Sequence, residues 1–305
     1  MSDSTHDTAP TQFIDADGIR FAYRRFGAPS GIPLVLVQHF RGNMDNHDPA
    51  ITDRLASGRE VILFDNTGVG QSTGTAPDTI EGMAADVASF VDALGLTLVD
   101  ILGHSMGGHV TQQLLLDRPD LIRRAALVGT GPRGGEGMAA RPPEVAALWT
   151  RRYDPPDEMW LPILFYRSPT SQAAGRRWLE RIRARSRDRD APVSVETATS
   201  HRAAASKWGA APADGYHYLR RIQQRILVAN GLDDIIVPTI NSYLLQQHLP
   251  NAQLIVYPDS AHGSHFQFPE LFATHLAMFL DADWSDDTRS APRGTEPLTR
   301  SPIRT

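Results

Sequence analysis

A six-residue run, Gly103–Gly108, constrains this chain more than any other feature. It reads Gly-His-Ser-Met-Gly-Gly and lies between an apolar stretch and a helix-like segment. The pattern predicts a strand, a sharp turn with Ser105 at its centre, and a helix. Gly103 and Gly107 stand two places before and after the serine, where a side chain would collide with the turn. We therefore expect the Ser105 hydroxyl to stand clear of a sheet edge, beside the free N–H groups of a helix.

A nucleophilic serine needs a base, and the base needs an acid that orients it. Two later apolar stretches are typical of strands, and each is followed by a loop that holds such a residue. The first precedes Asp233 and Asp234, and the second precedes His262. Open α/β sheets hold their sites at the carboxyl ends of strands, so all of these residues are expected at one edge.

These motifs resemble those of the α/β-hydrolase superfamily, and the resemblance extends from about Phe13 to Leu280. The matching segments are the serine turn at 103–108, the acid loop at 231–238, the histidine loop at 261–263 and the loop at 64–72. The chain order Ser, Asp, His is the one that this family uses. The resemblance implies an α/β fold with a mostly parallel central sheet, helices on both faces and an inserted helical cap.

The resemblance also implies roles for individual residues. Ser105 is the nucleophile, His262 takes and returns its proton, and Asp234 orients the histidine. The family's pattern places the acid three residues after the glycine of the acid loop, which favours Asp234 over its neighbour Asp233. Glu136 is a further alternative because it follows the preceding strand, where some members keep their acid.

The loop after the third strand departs from the family's pattern. Relatives carry His-Gly followed by a bulky residue, whereas this chain has Gln38-His39-Phe40. The resemblance implies that the backbone N–H groups of Phe40 and Met106 form an oxyanion hole. His39 is interpreted as a residue that supports this loop by hydrogen bonding. The alternative is that it acts as a second catalytic base.

A serine nucleophile predicts acyl transfer. Members of the fold that open haloalkanes or epoxides use a carboxylate, since an alkyl ether on serine would be inert to water. Water would resolve an acyl-enzyme in an esterase, lactonase, amidase or carbon-carbon bond hydrolase. Hydrogen peroxide would do so in a perhydrolase of the cofactor-free haloperoxidase type. The second function class that stays open is a related fold used as an acyltransferase or as a binding protein.

The pattern along the chain predicts a disordered tail at 1–11, a core at 12–133 and 224–281, a helical cap at 134–223 and a disordered tail at 282–305. Core strands are expected near 33–39, 59–65, 97–102, 124–129, 225–230 and 252–257, after an opening hairpin. Core helices are expected near 45–56, 78–94, 106–117, 239–248 and 268–280.

Aromatic residues are concentrated in the cap segment, which holds four of the five tryptophans. They either line an apolar substrate pocket or pack the cap on the core. The residues expected to line the site are Gln38, His39, His104, Trp160, Trp208 and His265. The arginine-rich run at 176–189 is interpreted as a solvated helix face, with an anionic substrate or acidic partner as the alternative.

Composition narrows the function class. A net charge of -5 and a pI near 6.1 argue against binding to nucleic acid or an anionic membrane. Cysteine is absent, which excludes disulfides, thiolate catalysis and thiolate metal sites. We expect a cytoplasmic bacterial enzyme acting on a small molecule without cofactor or metal, and a homodimer stays open. His265 has metal-ligand spacing to His262, but a position at the pocket edge or a packing role is the favoured interpretation.

Overall fold

The computed structural model of the protein describes residues 4–29, 31–140, 142–210 and 215–283. They form an eight-stranded sheet. Its strands are β1 (Gln12–Ala16), β2 (Ile19–Gly27), β3 (Leu34–Val37), β4 (Glu60–Phe64), β5 (Val99–His104), β6 (Ile122–Val128), β7 (Arg225–Gly231) and β8 (Ala252–Tyr257). The order across the sheet is β1-β2-β4-β3-β5-β6-β7-β8. β1 and β2 form an antiparallel hairpin, β2 is antiparallel to β4, and every other pair is parallel. This mostly parallel sheet confirms the predicted fold class.

Ten α-helices accompany the sheet in the described part of the chain. They are α1 (Pro49–Ala56), α2 (Ile80–Ala93), α3 (Met106–Asp117), α4 (Pro143–Leu148), α5 (Trp160–Leu164), α6 (Pro169–Arg183), α7 (Val195–Gly209), α8 (Ile240–His248), α9 (Ser264–Gln267) and α10 (Pro269–Asp281). Short 3₁₀ turns occur at Met44–Asn46, Pro156–Met159 and His217–Arg221.

The central strands are apolar on both faces because helices cover both. In β3, Leu34 and Leu36 belong to the apolar cluster shared with α1 and α10. Val35 and Val37 alternate with them and belong to the cluster shared with α2 and α3. The two-residue period of a strand therefore distributes one apolar run between two cores.

The helix expected at 45–56 is divided in two. A 3₁₀ turn covers Met44–Asn46, and α1 begins only at Pro49. The carboxylate of Asp48 accepts the N–H of Ala50 at 3.0 Å, and proline at the first helical position has no N–H to satisfy. Asp48 and Pro49 therefore set a new helix start inside the predicted one.

The N-terminal segment differs from the disordered tail that the sequence predicts. His6 and Ala9 are buried. The backbone N–H of His6 donates to Asp53 Oδ1 at 2.6 Å, and its Nδ1 lies 2.8 Å from Thr52 Oγ1. These hydrogen bonds hold the N-terminal segment against α1. The polar composition of the segment did not indicate this packing. The expected C-terminal tail lies, from residue 284 onward, outside the described residues.

Helices α4 to α7 lie between β6 and β7, in what we call the inserted segment (residues 134–223). Its arginine-rich run is not simply a solvated face. Arg181 makes two hydrogen bonds to the buried carboxylate of Asp48, at 2.7 and 2.6 Å. Arg185 is buried and donates to the backbone carbonyls of His6 and Asp7. The hydrogen bonds of both guanidinium groups therefore connect the inserted segment to α1 and to the N-terminal segment.

Candidate active site

Ser105 lies at the junction of β5 and α3 with a strained backbone. Its φ is 56° and its ψ is -116°, a left-handed conformation that residues other than glycine rarely adopt. Its N–H donates to the carbonyl of Val128 at 2.8 Å, which holds the turn against β6. A Cβ on Gly103 would collide with the carbonyl of Gly107, and a Cβ on Gly107 would collide with the carbonyl of Val37. The two glycines are therefore required by close backbone approach.

A continuous chain of hydrogen bonds joins the ends of three strands. Ser105 Oγ lies 2.8 Å from His262 Nε2. His262 Nδ1 lies 2.8 Å from Asp234 Oδ2. Ser105 follows β5, Asp234 follows β7 and His262 follows β8, so sheet order brings together residues that are far apart in sequence. All three side chains are buried.

The structure distinguishes the three acids that the sequence left open. Asp234 uses one oxygen for His262, and its Oδ1 accepts the N–H groups of Ile236 and Val237 at 2.8 and 3.0 Å. Those two bonds keep the carboxylate pointing toward the imidazole. Asp233 and Glu136 make no hydrogen bond to His262 in the described structure, and Glu136 is exposed.

The loop after β3 is stiffened by its own side chains. Gln38 is buried, and it accepts the N–H of His39 at 2.9 Å and donates to the carbonyl of Asn43 at 3.0 Å. His39 Nδ1 donates to the carbonyl of Phe40 at 2.9 Å. Gln38 thus links His39 to Asn43 across the loop.

Several histidines around Ser105 are held neutral by burial. Burial lowers the pKa of His39 to about 4. The pKa values of His104 and His265 lie well below the usual range, again mainly because of burial. His39 and His104 meet edge to face with ring centroids 5.1 Å apart, and His104 and His265 do so at 4.4 Å. His104 also contacts the ring of His262, with centroids 5.1 Å apart. These contacts agree with packing as the interpretation of His265.

A cavity of about 390 Å³ opens beside Ser105 and His262. Its lining residues are His39, Phe40, Ser105, Met106, His109, Met138, Ala139, Ala146, Trp149, Thr150, Trp160, Ile163, Leu164, Arg202, Ala205, Ser206, Ile236, Val237 and His262. The inserted segment supplies much of this wall.

Only two of the six side chains predicted to line the site do so, His39 and Trp160. The other four, Gln38, His104, Trp208 and His265, are buried in the packing around the cavity. His109 lines the cavity and was missed, although its position four residues after Ser105 places both on one helix face. Trp149 also lines the cavity. The sequence placed it among the cap aromatics that could do so, but their spacing does not show which of them turn inward.

Within the described ranges, no three histidine, aspartate or glutamate side chains are grouped as ligands for a metal ion. None of the helices in those ranges combines the length and apolar character needed to cross a bilayer. His265 makes its ring contacts with His104, Phe266 and Phe272.

The fold and the serine turn define the class of protein, and comparison with known proteins agrees. Residues 32–269 match the family model described as the alpha/beta hydrolase fold. The chain belongs to the α/β-hydrolase family. It is 32% identical to a poly(3-hydroxyalkanoate) depolymerase from Ectopseudomonas oleovorans over 81% of this chain and 83% of that protein.

Solved structures agree with this assignment. An alpha/beta hydrolase fold protein from Chitinophaga pinensis is 41% identical, with a TM-score of 0.86 over 92% of this chain and all of the other. Est816, described as an N-acyl homoserine lactone degrading enzyme, is 26% identical, with a TM-score of 0.68 over 88% of this chain and all of the other. Since these relatives are named hydrolases and lactone-degrading enzymes, the protein is a hydrolase.

Proposed function

We propose that the protein is a serine hydrolase that cleaves an ester, lactone or related acyl bond of a small, largely apolar substrate. The observation that carries the proposal is the hydrogen-bonded chain from Asp234 through His262 to Ser105, which ends at the cavity. A binding protein would need the cavity but would have no use for a serine, a base and an acid in this register.

Acylation begins with attack of Ser105 Oγ on the substrate carbonyl carbon. His262 Nε2 accepts the hydroxyl proton as the new C–O bond forms. The imidazolium then donates that proton to the leaving oxygen as the acyl bond breaks. Asp234 holds the proton on Nδ1 throughout, so Nε2 faces the serine as an acceptor, and its charge stabilises the imidazolium.

The oxyanion formed during attack needs donors in a fixed position. We assign this role to the N–H groups of Phe40 and Met106, whose residues both line the cavity. Met106 is the first residue of α3, where an N–H has no partner within the helix and the helix dipole favours negative charge. Water then attacks the acyl-enzyme carbonyl carbon and gives a proton to His262. The imidazolium passes that proton to Ser105 Oγ as the acyl–Oγ bond breaks, which releases the acid and restores the serine hydroxyl.

The inserted segment acts as the cap over this reaction. Trp149 and Trp160 line the cavity with ring centroids 6.3 Å apart, and Phe40 packs against Trp149 at 5.0 Å. Aromatic and aliphatic walls favour an apolar acyl or alcohol group and exclude bulk water from the site. The names of the relatives, a polyester depolymerase and a lactone-degrading enzyme, agree with oxygen esters as the substrate class.

The experiment is active-site labelling followed by a substrate panel. A fluorophosphonate probe should label the wild type at Ser105 and leave Ser105→Ala unlabelled. p-Nitrophenyl acetate, butyrate and octanoate and a set of lactones should be hydrolysed, with kcat lowered about a million-fold in Ser105→Ala. The melting temperature of the variant should match that of the wild type, which excludes misfolding as the cause.

Two outcomes would change the assignment. Bromination of monochlorodimedone in acetate and peroxide with a kcat/KM above that of ester cleavage would make the protein a perhydrolase. Ester cleavage that persists in a clean Ser105→Ala preparation would reject the mechanism.

A further inference from the structure

The cavity is apolar on most sides but carries one permanent charge. Among the described residues that line it, Arg202 of α7 is the only aspartate, glutamate, lysine or arginine. Arg202 is also exposed, so its side chain lies at the boundary between the cavity and solvent. Ala205 and Ser206, three and four residues later, line the same cavity. One face of α7 therefore forms part of the cavity wall, and the guanidinium group of Arg202 lies at the end of that face.

A second arginine is held beside the first. The backbone N–H of Arg41 donates to Nδ1 of His201 at 3.3 Å, which joins the loop after β3 to α7 at the residue next to Arg202. Phe40, the neighbour of Arg41, packs its ring on that of His201 at 6.1 Å. This contact holds the backbone of Arg41 against α7 at the residue that precedes Arg202.

The two arginines are uncompensated. Neither forms a salt bridge in the part of the chain that the structure describes, whereas Arg181 on the same inserted segment as Arg202 pairs with Asp48 at 2.6 Å. Burial lowers the pKa of Arg41, and the charge of Arg202 lowers it further. Placing like charges together in a partly desolvated position is unfavourable unless an anion joins them.

We propose that Arg202, with the charge of Arg41 nearby, binds a carboxylate on the substrate, so that the preferred substrate has an apolar body, an acyl bond at Ser105 and a carboxylate at the far end. The inference rests on the proposed function, because it names the substrate of the same site. A guanidinium group presents parallel N–H donors that match a carboxylate. The apolar residues that line the cavity together with Arg202 and Ser105 fit the chain that separates the two ends of such a substrate.

The test compares matched esters that differ in one charge. Mono-p-nitrophenyl glutarate carries a free carboxylate, and p-nitrophenyl pentanoate is a neutral ester of similar length. The wild type should prefer the glutarate by at least about tenfold in kcat/KM, since a hydrogen bond to a charged group contributes about 1.5–3 kcal/mol. Arg202→Gln should remove most of that preference, mainly by raising KM for the glutarate, so that the kcat/KM values of the two esters come within about twofold of each other.

Two further variants sharpen the result. Arg202→Lys should keep part of the preference, because it retains the charge but not the paired donors. Arg176→Gln removes an exposed arginine of α6 that does not line the cavity, and it should leave both rates unchanged. Equal rates for the two esters in the wild type, or equal losses on both in Arg202→Gln, would overturn the inference while leaving the hydrolase intact.

A binding measurement separates this inference from the proposed function. Titration calorimetry on Ser105→Ala, which needs no turnover, compares 5-phenylpentanoate with 5-phenylpentan-1-ol. Tighter binding of the acid by about tenfold, lost when Arg202→Gln is added, supports the carboxylate site even if no ester is cleaved. Equal binding of acid and alcohol rejects it. Failure of fluorophosphonate to label the wild type would instead reject the proposed function.

Discussion

The side chain of His104 donates a hydrogen bond from Nε2 to the backbone carbonyl of His262, at 3.1 Å. A carbonyl can only accept, so this contact requires the proton of His104 to be on Nε2. The rings of the two histidines are 5.1 Å apart. The residue before Ser105 thus holds the backbone of His262, the base of the proposed mechanism.

This contact predicts a positioning role for His104. His104→Phe keeps a ring but removes the donor, and we expect kcat to fall about tenfold with KM nearly unchanged, the effect of one buried hydrogen bond. His104→Gln retains an N–H donor and should recover part of the loss. Steady-state kinetics on p-nitrophenyl butyrate measures both. Identical kinetics in His104→Phe and wild type would show that the bond does not position His262.

The second prediction concerns the acid. Asp234→Asn should lower kcat by about 10⁴. An amide has only one oxygen, so if that oxygen keeps the two backbone hydrogen bonds, an NH₂ group faces His262 Nδ1 and favours the wrong tautomer of the imidazole. Asp233→Asn is the matched control one residue away, and its loss should be at most about threefold. The reverse ranking in kcat would assign the acid to Asp233.

The third prediction is a pH dependence of stability through His6. Burial, with Arg24 and Arg185 nearby, lowers the pKa of His6 from 6.5 to about 3. Between these values the unfolded chain binds a proton that the folded protein does not, so stability falls as the pH drops below 6.5. A tenfold difference in proton affinity corresponds to about 1.4 kcal/mol. The titration of His6 alone should therefore lower the free energy of unfolding by about 3 kcal/mol between pH 6.5 and pH 4.

Urea unfolding at a series of pH values measures this effect. His6→Asn removes the titrating ring, and its free energy of unfolding should decline less steeply over the same range, whatever its value at neutral pH. Slopes that match between His6→Asn and the wild type would contradict burial of His6 against α1.

The fourth prediction concerns the attachment of the inserted segment. The Asp48 side chain is fully buried, and burial raises its pKa even though Arg181 opposes the shift. Arg181→Gln should leave that carboxylate poorly paired and destabilise the fold by about 3 kcal/mol. Arg177→Gln removes an exposed arginine of the same helix and should change stability by less than about 0.5 kcal/mol. Thermal and urea unfolding compare the two variants, and similar losses in both would contradict a structural role for the Arg181–Asp48 pair.

Local sequence patterns were sufficient to predict the structure wherever backbone geometry alone decides which residue fits. The turn around Ser105 was predictable because only glycine fits at Gly103 and Gly107. The convergence of Ser105, Asp234 and His262 was predictable because each follows a strand of one parallel sheet, whose carboxyl ends meet at a single edge. Local patterns were insufficient where a polar segment finds specific partners, as His6 and Arg185 do.

The sequence by itself determined the α/β fold, the strained turn at Ser105 and the strand ends that carry Ser105, Asp234 and His262, since periodicity and glycine positions act over a few residues. Only the tertiary structure decided which side chains face the cavity. His39 and Trp160 reach it, whereas Gln38, His104, Trp208 and His265 support its walls. The direction of a side chain depends on how helices from distant parts of the chain pack on one another, and neither composition nor spacing contains that packing.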